Sequence, residues 1–112
     1  STLILTLFPY TTLFRSLHIG ADYRRGYEVS ADFDLKGCTA VMKVRSVQGK
    51  LLAEAECVIH DNIVYCTINA EATKNIGRNY RSGQYDVFLI HGNDTTKIVM
   101  GDIKFIHDIS AH

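Results

Sequence analysis

Residues 38–69, CTAVMKVRSVQGKLLAEAECVIHDNIVYCTIN, hold two turn signals whose hairpin registers agree. A two-residue loop at Gln48-Gly49 sets Val44 against Ala53, Met42 against Ala55 and Ala40 against Cys57. A second at Asp61-Asn62 sets Cys57 against Cys66 and Ile59 against Val64. Strand side chains alternate between faces. One face therefore collects Ala40, Met42, Val44, Ala53, Ala55, Cys57, Ile59, Val64, Cys66 and Ile68, all apolar. The other carries Lys43 directly across from Glu54, with Arg45, Glu56, Tyr65 and Thr67 nearby. A slip of one residue exchanges the faces. The stretch thus specifies an antiparallel meander with one dry side.

Outward from this meander the chain reads as more short strands. Residues 17–22 form a weak edge segment. Tyr27 to Phe33 alternates Tyr27, Val29, Ala31 and Phe33 with Glu28, Ser30 and Asp32, the period of a half-buried strand. Residues 34–37 break it. Ala70 to Ile76 is the only helical-looking piece, capped by Asn69 or Thr73, and it carries the chain from one sheet to the other. Gln84–His91 and Lys97–Ile109 make a last hairpin around Gly92-Asn93-Asp94-Thr95. Pairing His91 with Thr96 sets Tyr85, Val87 and Leu89 on one face with Ile98 and Met100, leaving Phe88 and Val99 on the reverse. Gly101 is expected to mark a bulge.

About seven short strands with turns between them predict an all-β fold, an immunoglobulin-like antiparallel β-sandwich. The dry face of the meander is expected to close against the last hairpin at about 10 Å. Ser82-Gly83-Gln84-Tyr85-Asp86-Val87 is similar to the immunoglobulin tyrosine corner. The cysteine that follows that tyrosine is missing, and the chain has no Trp, so no inter-sheet disulfide is expected.

The 112 residues suit one domain, with roughly 60–65% of the unfolded surface buried on folding. Formal net charge is zero with the signs interspersed, which argues against a nucleic-acid-binding surface. No stretch is long and apolar enough to span a bilayer. Residues 1–16, STLILTLFPYTTLFRS, lack the basic start and small-residue cleavage site of a secretory signal. The segment, above all LFPYTTLFRS, resembles a translated sequencing-adapter remnant, which places the single domain at residues 17–112. The alternative is a genuine edge strand through Leu3, Ile4, Leu5 and Leu7.

The order of motifs from Tyr23 to Ser110 resembles small immunoglobulin-like domains of bacteriophage tail, baseplate and fibre proteins, nearest the amino-terminal domain of the baseplate upper protein group. The residues that carry it are Arg25-Gly26-Tyr27, Lys36-Gly37-Cys38-Thr39-Ala40, the turn Gln48-Gly49-Lys50, Glu71-Ala72-Thr73, Gly83-Gln84-Tyr85-Asp86-Val87 and Met100-Gly101-Asp102-Ile103. The resemblance implies a non-enzymatic virion assembly module, built in the host cytoplasm, with other virion proteins as partners and no catalytic residues. It also implies a homo-oligomer, with a trimer as one form. Two alternatives stay open: a carbohydrate-binding sandwich, and a capsid decoration or head-fibre domain.

Cys57 and Cys66 face one another either as a disulfide or as two small buried thiols, and assembly in reducing cytoplasm favours the thiols. Cys38 is the odd one and reads as a free thiol. His18, His60, His91, His107 and His112 lack the short spacing of a zinc site, so neither metal nor other cofactor is expected. Asp22, Arg24 and Arg25 form a mixed-charge cluster that reads as a docking loop or a solvated connector. Tyr80 and Arg81 are the better contact candidates, since both residue types are enriched at interface hot spots.

Overall fold

The computed structural model describes residues 2–4, 11–12, 15–29 and 35–107, with side chains from residue 15 onward. The first half contributes β1 (Thr2–Ile4), β2 (Thr11–Thr12), β3 (Arg15–His18) and β4 (Tyr23–Glu28). Then come β5 (Thr39–Ser46), β6 (Leu51–His60), β7 (Ile63–Ile68), α1 (Ala70–Lys74), β8 (Ser82–His91) and β9 (Asp94–Ile106). Neighbouring strands run β1-β4-β7-β6-β5-β8-β9-β2, with β3 also on β9.

The hydrogen-bonded ribbon folds into a sandwich through β6. Its first half pairs with β5 in one sheet, Met42 to Ala55 and Val44 to Ala53. Its second half pairs with β7 in the other, Cys57 to Cys66 and Ile59 to Val64. The expected cross-strand pairs Lys43–Glu54 and Met42–Ala55 are present. Met42, Val44, Ala53, Ala55, Val64, Cys66 and Ile68 are buried together in one core. Each fully buried aliphatic side chain there contributes about 1.5–3 kcal/mol.

Several expectations are corrected. The Gln48-Gly49 loop has three residues rather than two. Ser46 N–H bonds Lys50 carbonyl at 2.8 Å, Gly49 N–H bonds Ser46 carbonyl at 2.9 Å, and Gly49 takes φ +96°. Arg45 then pairs with Leu51, and Leu52 is the extra residue that restores the expected register at Val44.

The meander is not one layer facing the last hairpin. β5 pairs along its whole length with β8, Thr39–Ile90 to Ser46–Gly83, so β5, β8 and β9 share a sheet.

The last hairpin closes through Gly92-Asn93, because Gly92 at φ +60° supplies the left-handed turn residue that a two-residue loop needs. His91 pairs with Asp94 rather than Thr96. The bulge falls at Ile98, between the pairs Phe88–Lys97 and Val87–Val99, and Gly101 stays in register opposite Tyr85. Two successive residues, Ile98 and Val99, are thereby buried, while Met100 is half-buried.

β4 starts at Tyr23, four residues before the expected strand start. Tyr27 and Val29 are buried as expected, whereas Ala31 and Phe33 lie outside the described residues. β1 runs parallel to β4, and β2 and β3 run parallel to β9, so residues 2–4, 11–12 and 15–16 add backbone pairing at the two outer edges. The weak segment from Leu17 does lie on an edge, with Leu17 fully buried.

α1 links β7 of one sheet to β8 of the other. Asn69 caps it, Oδ1 accepting from Ala72 N–H at 2.8 Å. Thr73 serves another purpose: its buried hydroxyl accepts from Gly20 N–H at 3.0 Å and donates to Ala70 carbonyl at 2.8 Å. That bond fastens the helix to the β3–β4 connection.

Candidate interaction surfaces

Alternation along β4, β7 and β6 builds an outer face in rows. The middle row is Gly26, Tyr65 and Val58, set by the pairs Gly26–Tyr65 and Val58–Tyr65. Val58 is 63% exposed and Tyr65 40%. One flanking row holds Arg24, Thr67 and Glu56, the other Glu28, Ile63 and His60. An apolar cross-strand pair is thus exposed beside a buried glycine and framed by both signs of charge.

Arg24 and Arg25 stand in β4, not in a loop, and point apart. Arg24 is exposed and pairs with Asp22 at 3.1 Å. Asp22 is also a brace, its Oδ1 accepting from Ala70 N–H at 2.7 Å. Arg25 is half-buried over the Tyr23 ring, 4.9 Å from its centre, and donates to the Arg24 carbonyl at 2.7 Å. Only Arg24 of this pair borders the Tyr65–Val58 row.

Tyr80 and Arg81 lie in the connection from α1 into β8. Tyr80 is half-buried, with Lys50 Nζ 6.0 Å from its ring centre. Its carbonyl is 2.7 Å from His107 Nε2. The Arg81 carbonyl accepts from Phe105 N–H at 2.8 Å, so its backbone is pinned to β9 while its side chain stays exposed. Arg81 divides two clefts at this end of the sandwich. One, about 380 Å³, is lined by Arg78, Arg81, Lys104, Phe105 and His107. The other, about 400 Å³, is lined by Val47, Gln48, Asn79, Tyr80, Arg81 and Ser82.

Sequence reasoning named Tyr80 and Arg81 but missed Val58, Arg78, Lys104 and His107. Val58 was within reach, because the Asp61-Asn62 register already sets it opposite Tyr65. Lys104 was not, because its approach to Arg81 depends on the long-range pair Ser82–Lys104.

Polar side chains also meet inside the sandwich. The Arg15 guanidinium lies 5.5 Å from the Tyr27 ring centre, the Tyr23 and Tyr27 hydroxyls are 3.4 Å apart, and Tyr85 bonds to Arg15 and Tyr27. Burial, reinforced by Tyr27, pushes the phenols of Tyr23 and Tyr85 well above their ordinary value. Cys57 and Cys66 are reduced thiols with sulfur atoms 3.5 Å apart, and Cys38 is likewise in no disulfide. His18, His60 and His91 are exposed and His107 half-buried, while His112 lies outside the described residues. Among the described residues no three His, Cys, Asp or Glu side chains converge as metal ligands would.

Two packed sheets joined by a strand that changes layers define an immunoglobulin-like β-sandwich. The extracellular domain of the voltage-gated sodium channel β4 subunit, known from parallel homodimer structures that explain its role in cell–cell adhesion, has this fold. It superposes with a TM-score of 0.52 at 7% identity, covering 88% of this chain and 94% of its own. The M1 domain of titin aligns with a TM-score of 0.48 at 8% identity over 88% of this chain and 92% of its own. No protein-family profile matches the sequence, and no curated protein matches it.

Proposed function

We propose that this chain is a non-enzymatic interaction module that joins subunits of a bacteriophage tail, baseplate or fibre, and that it self-associates. The observation that carries the reading is the exposed Val58–Tyr65 cross-strand pair, which lies beside the buried Gly26 in a charged frame. Burying Val58 and Tyr65 against a neighbour removes apolar area from water, which drives association. The flanking rows carry both signs, Arg24 with Glu56 on one side and Glu28 on the other, which suits pairing with a copy of the same face. Support for the virion setting comes from the motif order between Arg25-Gly26-Tyr27 and Met100-Gly101-Asp102-Ile103.

Size-exclusion chromatography with light scattering on the full chain tests the reading. Expected is a concentration-dependent oligomer that Val58→Lys and Tyr65→Lys each shift toward monomer without altering the thermal midpoint. A strict monomer at high concentration, or an oligomer indifferent to both substitutions, overturns self-association through this face.

A further inference from the structure

The two clefts on either side of Arg81 belong neither to the apolar strip nor to the core. Among the described residues, the first is lined by three fixed positive charges, Arg78, Arg81 and Lys104, with His107 beside them and no carboxylate. In a chain whose formal net charge is zero, that is a local concentration of one sign. Its geometry is held from below. Phe105 is buried at the floor, the Arg81 backbone is bonded to Phe105, and Lys104 is in register with Ser82. His107 Nε2 is tied to the Tyr80 carbonyl. The cations are therefore carried on fixed backbone while their heads remain in solvent, an arrangement that attracts anions without a burial penalty.

The second cleft has a different character. It offers Val47, 65% exposed, and the Tyr80 ring, together with the neutral polar groups of Gln48, Asn79 and Ser82. Arg81 is common to both. Two open lobes meeting at one arginine suit an extended chain better than a compact solute: carboxylates lie toward Arg78 and Lys104, and an adjoining apolar residue lies toward Tyr80 and Val47. Arg presents a planar fork that matches a carboxylate.

We infer that this end of the sandwich binds an acidic, extended segment of a partner protein, its carboxylates held by Arg78, Arg81 and Lys104. The inference rests on reading the domain as a protein-binding module.

The test is amide-resolved NMR titration of the full chain with hexaglutamate, hexaglutamine and inorganic phosphate. Hexaglutamate is expected to move the amides of Arg78, Arg81, Lys104 and Phe105, and hexaglutamine to leave them still. Arg81→Glu and Lys104→Glu should each weaken hexaglutamate by about tenfold, as expected when exposed attraction is turned to repulsion. Lys36→Glu, at the opposite end of β8 beside Gly37 and His91, should change it less than twofold. Equal binding by wild type and Arg81→Glu overturns the inference, and so does phosphate saturating the same amides at lower concentration than the peptide. A chain that self-associates through Val58 and Tyr65 but ignores hexaglutamate loses the cleft and keeps the assembly reading. One that stays monomeric yet takes hexaglutamate at Arg81 keeps the cleft and loses the apolar strip.

Discussion

Cys57 and Cys66 are cross-strand partners with sulfur atoms 3.5 Å apart, one half-buried and the other sealed in the core. The two thiols are driven in opposite directions. The Cys57 thiol donates to Cys66 Sγ, and once Cys57 ionises the Cys66 S–H returns the bond to the thiolate; this lowers the Cys57 pKa, whereas the same contact and burial raise Cys66. Cys57 is therefore expected to alkylate with iodoacetamide in the folded chain while Cys66 stays protected until the chain unfolds. Replacing Cys66 by Ala removes the donor, so the pH midpoint for Cys57 alkylation should move upward. Peptide mass mapping across a pH series reads both. A midpoint unmoved by Cys66→Ala contradicts the assignment.

The buried phenols make stability fall in alkali. Tyr23 and Tyr85 are raised above the ordinary tyrosine value of 10.0 by burial and by Tyr27. Above that pH the unfolded chain releases protons that the folded chain retains, so the unfolded state is favoured. Their contribution is fully present below pH 10.0 and is lost as pH rises beyond it. Thermal midpoints should drop steeply above about pH 10. Tyrosinate absorbance should appear together with unfolding, and Tyr23→Phe should flatten part of the slope. Early, non-cooperative ionisation of all tyrosines would contradict this.

Gly83 stands between two backbones. It pairs with Ser46 on β5 and with Ile103 on β9, and a methyl group built on it runs into the Arg45 carbonyl oxygen and crowds the Phe105 ring. The obstacle is main chain in a central sheet, which yields only by moving β5. Gly83→Ala is thus expected to destabilise by about 1–3 kcal/mol, the usual cost of overpacking, despite improving strand propensity. Urea denaturation measures it, and a variant as stable as the parent would mean that β5 shifts freely.

How much of this was legible in the sequence depends on where each contact is specified. The β6–β7 pairs are local, since Asp61-Asn62 admits one loop and everything from His60–Ile63 to Glu56–Thr67 follows. The β5–β6 pairs were reached although the loop was misjudged, because an extra loop residue and the extra residue Leu52 cancel in the register. No such cancellation protects β8–β9. There a shorter loop and a bulge at Ile98 leave the pairing one residue off the expected one, so Val99 rather than Met100 faces inward. β5–β8 pairing and the meeting of Arg78 with Lys104 are set by the packing of whole sheets, and no local turn encodes them. Asn69 was legible as a cap because its amide acts within one helical turn.

Asp61 offers a direct probe of the hairpin on which the fold reading rests. It is the one described non-glycine residue in the left-handed region, at φ +56°, and it opens the loop that sets Cys57 opposite Cys66. Asn62 completes the turn by clamping the end of β4, with Nδ2 donating to Val29 carbonyl at 2.9 Å and Val29 N–H bonding the Asn62 carbonyl at 2.7 Å. Aspartate tolerates that backbone better than most residues, glycine needs no tolerance, and a β-branched side chain is strained there. Asp61→Gly should therefore leave stability within about 0.5 kcal/mol of the parent, while Asp61→Val should cost about 1–2 kcal/mol. Asn62→Ala should cost about 1 kcal/mol through loss of the clamp. Chemical denaturation of the three variants decides the matter. If Val at 61 proves as stable as Gly, the loop is not held in the left-handed conformation, and the register that follows from it loses its local cause.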